Sequence, residues 1–287
     1  DYMFVEGKAI GLVRGFVSEG YYTVDDFNYT NGQYVLKEGV PDITKALTAT
    51  YMHPYDLPSG QTAFPGAAKF RDVDESGTVD LDDATCLGEV MPRHTGSFQL
   101  NFNYKNFDLS TNFNWTAGGK IYNVAAMINA SGQEFDGIGA QRASWVADAF
   151  KVYNVNAAGD LYAVTNPDEL RALNANAKYH LPYHQSGITS SEWLEDGSYL
   201  RLQTLTFGYT LPKNLLAKVK IDKVRLYLTA TNLFTITGYS GIDPEVNATP
   251  TGQSGFYSNL RIFPTLNMDF GTYPRARTFT FGANITF

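Results

Sequence analysis

The residues best suited to chemistry form one acidic segment at positions 72–83. Oxygen-bearing side chains occupy the first, third, fifth, ninth and twelfth places of the calcium-loop template, and Gly77 stands at the sixth, where that loop turns sharply. The seventh place contributes a backbone carbonyl. The spacing therefore predicts a metal site whose ligands are Asp72, Asp74, Ser76, Thr78, Asp80 and Asp83.

Calcium is the cation that this segment suits best. Ca²⁺ takes about six to eight oxygen ligands, and closely spaced carboxylates repel one another without a cation. Asp83 replaces glutamate at the twelfth place, which shortens the reach and either weakens the site or admits Mg²⁺. A solvated acidic turn is the alternative interpretation. Because no helices flank the segment, we expect the ion to act as a structural clip for a long loop rather than as a sensor.

The composition excludes other kinds of chemistry. The chain has 287 residues, with 22 Lys and Arg against 29 Asp and Glu and no basic run, so we expect no nucleic-acid partner. No catalytic triad, paired carboxylates or nucleophile motif stands out, so the sequence predicts neither an enzyme nor an organic cofactor. Cys86 is the single cysteine and cannot form an intramolecular disulfide.

Alternation of apolar and polar residues dominates the rest of the chain. Over residues 278–287 aromatic and aliphatic residues alternate with Thr, Gly and Asn, and about ten residues is the length that a tilted strand needs to cross a bilayer. Residues 97–104 and 107–117 repeat the pattern around Lys105-Asn106, which predicts a hairpin. Their polar face carries Asn and Ser rather than Lys and Glu, which fits the wet interior of a barrel.

Six strands are predicted in all, and the sequence indicates an all-β fold. They lie near residues 8–17, 97–104, 107–117, 198–211, 224–237 and 274–287. In the fourth strand the apolar positions change phase, which indicates either a β-bulge near Gln203 and Thr204 or a strand that extends beyond the membrane. Asn232 is the one polar residue that breaks the pattern of the fifth strand. Short helices are predicted only within a long connection, around 121–127, 141–150 and 167–173.

The connections between these strands alternate in length. Long loops at 18–95, 119–197 and 238–273 alternate with the turn at 105–106 and a short connection at 212–223. Outer-membrane barrels have short periplasmic turns and long outer loops. We therefore expect extracellular long loops, a periplasmic C-terminus and an acidic segment exposed to a medium that is rich in Ca²⁺.

Five blocks of the chain resemble, in the same order, the C-terminal part of the SusC-like TonB-dependent outer-membrane transporters of Bacteroidetes. The blocks are residues 69–80, 96–102, 199–212, 230–237 with 241–245, and 278–287. The resemblance implies a 22-stranded antiparallel transmembrane β-barrel, closed by a plug domain, to which this chain contributes about six strands. It also implies import of oligosaccharides or peptides, a SusD-like lipoprotein on the extracellular loops, and energy supplied by TonB through the plug.

The plug domain and the earlier barrel strands are absent from these residues. Six strands cannot close a barrel, for which about eight is the minimum, and open edges cannot face lipid. We therefore expect both sheet edges to pair with a second chain or with the remainder of the same polypeptide. The alternative is a secreted, Ca²⁺-stabilised β-sandwich that binds carbohydrate, and dependence on detergent separates the two.

Overall fold

The computed structural model describes residues 2–3, 5–47, 53–131, 143–181, 188–217, 221–246 and 267–287. Five of the described strands, β10, β11, β16, β17 and β18, have nine or more residues, and the others have five or fewer. In chain order they are β1 Tyr2–Met3, β2 Leu12–Gly15, β3 Ser18–Tyr21, β4 Phe27–Thr30, β5 Gln33–Leu36, β6 Asp42–Ile43, β7 Ala68–Phe70, β8 Thr78–Val79, β9 Thr85–Glu89, β10 His94–Tyr104, β11 Phe107–Ala117, β12 Lys120–Tyr122, β13 Tyr153–Val155, β14 Leu161–Ala163, β15 Leu194–Asp196, β16 Tyr199–Thr210, β17 Lys223–Thr237 and β18 Thr278–Thr286.

The helices are few and short. They are α1 Val124–Ser131, α2 Ala143–Asp148, α3 Pro167–Leu173 and α4 Lys213–Leu216, with single 3₁₀ turns at Val24–Asp26, Leu81–Asp83 and Ser191–Trp193. The first three overlap the predicted helices. Asn166 caps α3 by accepting the backbone N–H groups of Asp168 at 2.9 Å and Glu169 at 3.2 Å. Within the described ranges, none of the helices has the length and apolar character needed to cross a bilayer.

The chain divides into two compact units. One, which we call the aromatic unit, comprises Asp1–Gly88 and Asn123–Leu194; the other, the sheet unit, comprises Glu89–Tyr122 and Glu195–Phe287. The sheet unit contains a five-stranded antiparallel sheet in the order β10-β11-β16-β17-β18. Five of the six predicted strand segments form this sheet, so the antiparallel part of the sequence prediction corresponds to one continuous structure.

The strand register places like residues beside like residues across the whole sheet. One row is apolar and consists of Phe102, Leu109, Phe207, Leu228 and Phe281. The next row is polar and consists of Asn101, Ser110, Thr206, Thr229 and Thr280. Because strand side chains alternate between faces, the sheet has one apolar face and one polar face.

The apolar face of the sheet is largely exposed. Phe281 in the edge strand exposes 73% of its surface, and Leu228 in a central strand exposes 46%. The large apolar residues of the five strands that are exposed are Phe98, Leu100, Phe102, Tyr104, Phe107, Phe207, Leu228, Phe234, Ile236, Phe279, Phe281 and Ile285. An apolar surface of this extent is unfavourable in water and favourable in a bilayer.

The predicted β-bulge in β16 is confirmed. Asn112 of β11 pairs with Thr204, whereas the next residue, Phe113, pairs with Leu202 and leaves Gln203 as the extra residue. The bulge reverses the alternation of β16 at this point. As a result Leu202, which is out of phase with the second half of the strand in the sequence, lies on the same face as the later apolar residues.

The same irregularity in the pairing of β16 with β17 explains why a polar residue, Asn232, interrupts the pattern of β17. Against β16 the register moves from Thr204–Thr231 to Leu202–Phe234, so Asn232 and Leu233 together lie opposite one residue. Asn232 has a φ of 51°, a left-handed conformation that Asn tolerates better than most residues. Its side-chain amide donates to the carbonyl of Ala276 at 3.0 Å, which stabilises the chain leading into β18.

The aromatic unit has a buried core and small sheets. Strands β3 and β7, β4 and β5, β6 and β8, and β13 and β14 form pairs, and β1, β2 and β9 form a three-stranded sheet. Its core includes Tyr22, Tyr34, Phe64, Val79 and Leu170, each 1% exposed or less. Two-stranded sheets are marginal alone, so this shared core stabilises the unit. The segment 18–95, predicted as one long ordered loop, therefore contains several short strands. These strands are too short for alternation to be visible in the sequence.

The predicted strand at 8–17 differs most from the structure. Only Leu12–Gly15 is a strand, and it pairs with β1 rather than with the five-stranded sheet. Leu12 and Val13 are consecutive and both buried, which an alternating bilayer strand does not allow. Gly11 has a φ of 89°, which ends the strand on its N-terminal side, and Gly15 lies against the carbonyl of Thr189, where a Cβ has no room.

Candidate functional site

The acidic segment 72–83 brings three of its four predicted carboxylate ligands together. Asp72, Asp74 and Asp83 each offer a carboxylate oxygen, and these atoms lie within 4.8 Å of one another. Asp83 is 1% exposed, while Asp74 is exposed. Converging carboxylates in this geometry repel one another strongly unless a cation or donors balance them.

Local backbone structure explains why the segment folds this way. Gly77 has a φ of 87° and Glu75 a φ of 59°, so the chain turns back between the first acidic residues and β8. Strand β8 pairs with β6 in parallel, Asp42 with Thr78 and Ile43 with Val79. Val79 is fully buried, so the aromatic unit's core anchors the centre of the acidic segment.

Backbone N–H groups position the carboxylates of Asp83 and Asp72. One oxygen of Asp83 accepts from the N–H of Val73 at 2.6 Å, and the other accepts from the N–H of Asp80 at 2.8 Å. Asp72 accepts from the N–H of Gly77 at 2.7 Å. These donors balance part of the negative charge and fix the two ends of the segment against each other.

Asp74 is also held by a backbone donor. Its Oδ1 accepts from the N–H of Ser76 at 3.0 Å. This backbone hydrogen bond, followed by one from the Ser76 side chain, lowers the pKa of Asp74 below its ordinary value. The carboxylate is therefore ionised at neutral pH, as a metal ligand must be.

The other three predicted ligands have different roles in the structure. The hydroxyl of Ser76 donates to the carbonyl of Thr78 at 3.1 Å. Asp80 caps the 3₁₀ turn Leu81–Asp83 by accepting from the N–H of Asp82 at 2.8 Å. Three carboxylates thus converge, and Ser76, Thr78 and Asp80 keep oxygen lone pairs that these hydrogen bonds do not use.

The polar face of the sheet carries a second set of candidate residues. Its amides and hydroxyls bond along and across the strands: Gln99 donates to Ser110 at 3.2 Å, and Ser110 donates to Asn101 at 2.7 Å. The hydroxyls of Thr206 and Thr229 lie 3.0 Å apart. This face is a wet, neutral surface of the kind that lines a barrel interior.

One ion pair lies on the polar face itself. Nε of Arg225 donates to Asp108 at 2.9 Å, across the intervening strand β16. Gly208 lies between the two in the register, and a Cβ at that position would collide with the Asp108 carboxylate. The glycine therefore lets the ion pair lie flat on the sheet.

A network around Arg201 was not predicted from the sequence. Arg201 lies on the polar face beside Asn114 and Thr235 and forms ion pairs with Asp243 and Glu245. The signal was present in the sequence, because Asp243 and Glu245 stand in one of the blocks that resemble the transporter family. Alternation alone does not connect that block to β16.

Comparison with known proteins agrees with the family resemblance. No protein-family profile matches the chain. The chain is 30% identical over 282 residues to TonB-dependent receptor P3 of Formosa agariphila, which covers 98% of this chain and 22% of that receptor. It is 25% identical over 247 residues to TonB-dependent receptor SusC of Bacteroides thetaiotaomicron, which covers 83% of this chain and 19% of SusC.

Solved structures give the same fold. The RagAB peptide importer in its open-open state matches the whole chain with a TM-score of 0.56 at 20% sequence identity, and the match covers 24% of the importer chain. The RagAB peptide transporter matches equally, with a TM-score of 0.56. The chain therefore spans about a fifth to a quarter of the length of these relatives. The predicted resemblance is confirmed: over most of its length the chain is similar to TonB-dependent receptors, SusC among them, and its fold is that of a C-terminal portion of their β-barrel.

Proposed function

We propose that this chain is part of an outer-membrane TonB-dependent active transporter that imports oligosaccharides or peptides. The observation that carries the proposal is the sheet unit, whose five long strands expose an apolar face and line the other face with amides and hydroxyls. That arrangement suits a barrel wall between lipid and a wet lumen. RagAB is named as a peptide importer, which supports peptides as one substrate class. Oligosaccharides are the class that the family resemblance implies.

The rest of the transporter supplies the partners. Strands β10 and β18 are the edges of the described sheet, and edges in a bilayer must be paired. The remaining barrel strands pair with these edges, and the plug fills the barrel. TonB acts through the plug. A SusD-like lipoprotein covers the long loops on the extracellular side, and the C-terminus faces the periplasm.

Uptake by intact bacteria tests the proposal. We expect a strain without the full-length receptor to lose uptake of either a labelled oligosaccharide pool or a labelled peptide pool, and a strain without functional TonB to lose the same uptake. The pool that is lost identifies the substrate class. The affinity-tagged receptor, extracted in detergent, is expected to retain a lipid-modified partner. Unchanged uptake in both strains, or a receptor found in the soluble fraction, would contradict the proposal.

We also propose that the segment 72–83 binds Ca²⁺, or Mg²⁺ more weakly, as a structural clip. Three converging carboxylates support the proposal, because no Lys or Arg among the described residues forms an ion pair with Asp72, Asp74 or Asp83. Binding stabilises the folded segment by about 2.7 kcal/mol when the free ion is a hundred times its dissociation constant. The clip joins the ends of a segment that is otherwise held by backbone hydrogen bonds.

Chelation of the full-length receptor tests the clip. We expect removal of Ca²⁺ to speed limited proteolysis within residues 72–83, and re-addition of Ca²⁺ to restore protection more fully than Mg²⁺. Asp74→Asn should lose the response, whereas Asp82→Asn, an exposed aspartate outside the cluster, should keep it. Proteolysis that ignores chelator in the unmodified receptor would show a solvated turn instead.

A further inference from the structure

A buried guanidinium lies at one end of the polar face. Arg201 in β16 is 2% exposed. Its Nε donates to Oγ1 of Thr235 in β17 at 3.0 Å, its Nη1 to Glu245 at 2.8 Å and its Nη2 to Asp243 at 2.5 Å. A buried charge is tolerated only when it is paired and hydrogen-bonded, and each nitrogen of this guanidinium has such a partner.

The two carboxylates connect Arg201 to other parts of the chain. Asp243 and Glu245 belong to the residues 238–246 that follow β17, which we call the rim segment. Asp243 also accepts from the N–H of Arg275 at 3.3 Å, and Glu245 accepts from the guanidinium of Arg275 at 2.5 Å. Because Arg275 precedes β18, one network joins β16, β17, the rim segment and the approach to β18.

Other contacts also hold the rim segment. The Tyr239 hydroxyl donates to Asp269 at 2.6 Å. The N–H and the hydroxyl of Ser240 each donate to Glu195 at 2.7 Å. Tyr239 and Val246 form a buried cluster with Ile121, and Gly241 lies against the ring of Tyr239, where a Cβ would collide. The segment also bounds a cavity of about 160 Å³ that is lined in part by Tyr199 and Glu245. The position of the rim segment therefore determines the shape of that cavity.

We propose that Arg201 is a positioning residue that latches the rim segment onto the polar face of the barrel wall, at the end where substrate arrives. The end of the sheet in question is extracellular in the orientation of the proposed function, on which the inference rests. Without Arg201, Asp243 would be a buried carboxylate that has lost its cation, and this cost is relieved when the segment leaves the wall. The latch thus keeps the cavity in one shape while substrate passes.

Cysteine labelling of the full-length receptor tests the latch directly. In a background without other cysteines, Val246→Cys replaces a residue that is 7% exposed, and Ile242→Cys replaces one that is 68% exposed in the same segment. In intact cells a membrane-impermeant maleimide should label Ile242→Cys rapidly and Val246→Cys slowly. Adding Arg201→Met should raise the Val246→Cys rate about a hundredfold, which is the opening expected when a buried ion pair loses one partner.

Further variants separate the latch from general damage to the barrel. Arg201→Lys keeps the charge but loses the forked geometry, so we expect an intermediate labelling rate. Thr235→Val removes one neutral acceptor and should change the rate least. Heat-modifiable electrophoretic mobility reports barrel assembly in each variant. If Arg201→Met fails to assemble, Asp243→Asn replaces it, since it removes a charge at nearly constant volume.

Two outcomes would overturn the ideas separately. Equal Val246→Cys labelling with and without Arg201→Met, in assembled barrels, would overturn the latch. Labelling of Ile242→Cys only after lysis would overturn the extracellular orientation and with it the proposed function. The Val246→Cys comparison can then be made in lysed cells, where it decides the latch independently.

Discussion

The two units of this chain use their apolar residues in opposite ways. In the aromatic unit Tyr22, Phe64 and Val79 are almost completely buried, and short strands surround them. In the sheet unit Leu228 and Phe281 belong to long, regular strands and are exposed. Burial therefore follows the solvent around each unit. Water drives the apolar side chains of the aromatic unit into a core, whereas lipid covers the apolar face of the sheet unit.

The regularity of the strands follows the same division. The strands of the aromatic unit are two to five residues long, whereas the strands of the five-stranded sheet are nine to fifteen residues long. In lipid every backbone N–H and C=O needs a partner along its whole length. In the aromatic unit, loops exposed to water tolerate irregular backbone, so short strands suffice.

The largest effect is expected from a substitution in the core of the aromatic unit. Phe64 is 1% exposed and stacks on His53 with ring centroids 4.0 Å apart. Phe64→Ala leaves a cavity and should cost about 3–5 kcal/mol in the free energy of unfolding of this unit. Leu161→Ala, at an exposed position, should cost less than about 0.5 kcal/mol. Loss of protease resistance with temperature measures both, and equal shifts would contradict the assigned core.

In the sheet unit a charge should be costly on the exposed apolar face and tolerated on the polar face. Leu228→Arg places a charge on the apolar face, near the middle of β17, and should cost about 2–4 kcal/mol in folding into lipid vesicles. Thr229→Arg, the next residue, lies on the wet polar face and should cost less than about 1 kcal/mol. Urea titration of the heat-modifiable form gives both values. If Thr229→Arg were the costlier change, the faces would be assigned the wrong way round.

The third prediction concerns the bulge that keeps each face uniform. Asn232 has a φ of 51°, which a β-branched residue adopts with strain. Asn232→Val should therefore cost about 1–2 kcal/mol in the same titration. Asn232→Gly loses the bond to Ala276 but gains a permissive backbone, so its cost should stay below about 1 kcal/mol. The reverse order would mean that the amide, and not the backbone, sets the bulge.

The smallest expected effect is the response of the rim segment to pH. Burial raises the pKa of Asp243, but the N–H of Glu245 and the guanidinium of Arg201 lower it by more, so its pKa lies below the ordinary 3.8. A lowered carboxyl pKa stabilises the folded form above the ordinary value, and the stabilisation is lost only as the pH falls through the folded pKa.

Because the pKa of Asp243 is lowered, we expect the latch not to respond to pH in the physiological range. The ratio of Val246→Cys to Ile242→Cys labelling, which cancels the titration of the thiol, should stay constant between about pH 5 and pH 8. A ratio that climbs toward pH 5 would show that another group in the network titrates there.

Local sequence patterns were enough to predict the barrel wall. Alternation in 97–117 and 198–237 is a local property, and the bulge at Gln203 was visible as a change of phase within one strand. The resemblance to SusC-like receptors, confirmed by the comparisons, extended this to the fold class. The acidic segment was also found locally, because the calcium-loop template has fixed spacing. Its binding of Ca²⁺ stays a prediction, with three of its four predicted carboxylate ligands brought together.

The aromatic unit and the Arg201 network depend on contacts between residues that are far apart in the chain, and local patterns do not predict them. The aromatic unit's strands are too short to carry a period, and their core joins residues from both parts of that unit, such as Phe64 and Leu170. The Arg201 latch joins residues 34 to 44 positions apart. The alternation of apolar and polar residues indicates which face of a strand contacts lipid and which contacts water. It does not report which distant charge meets another, because that depends on how the chain returns after each strand.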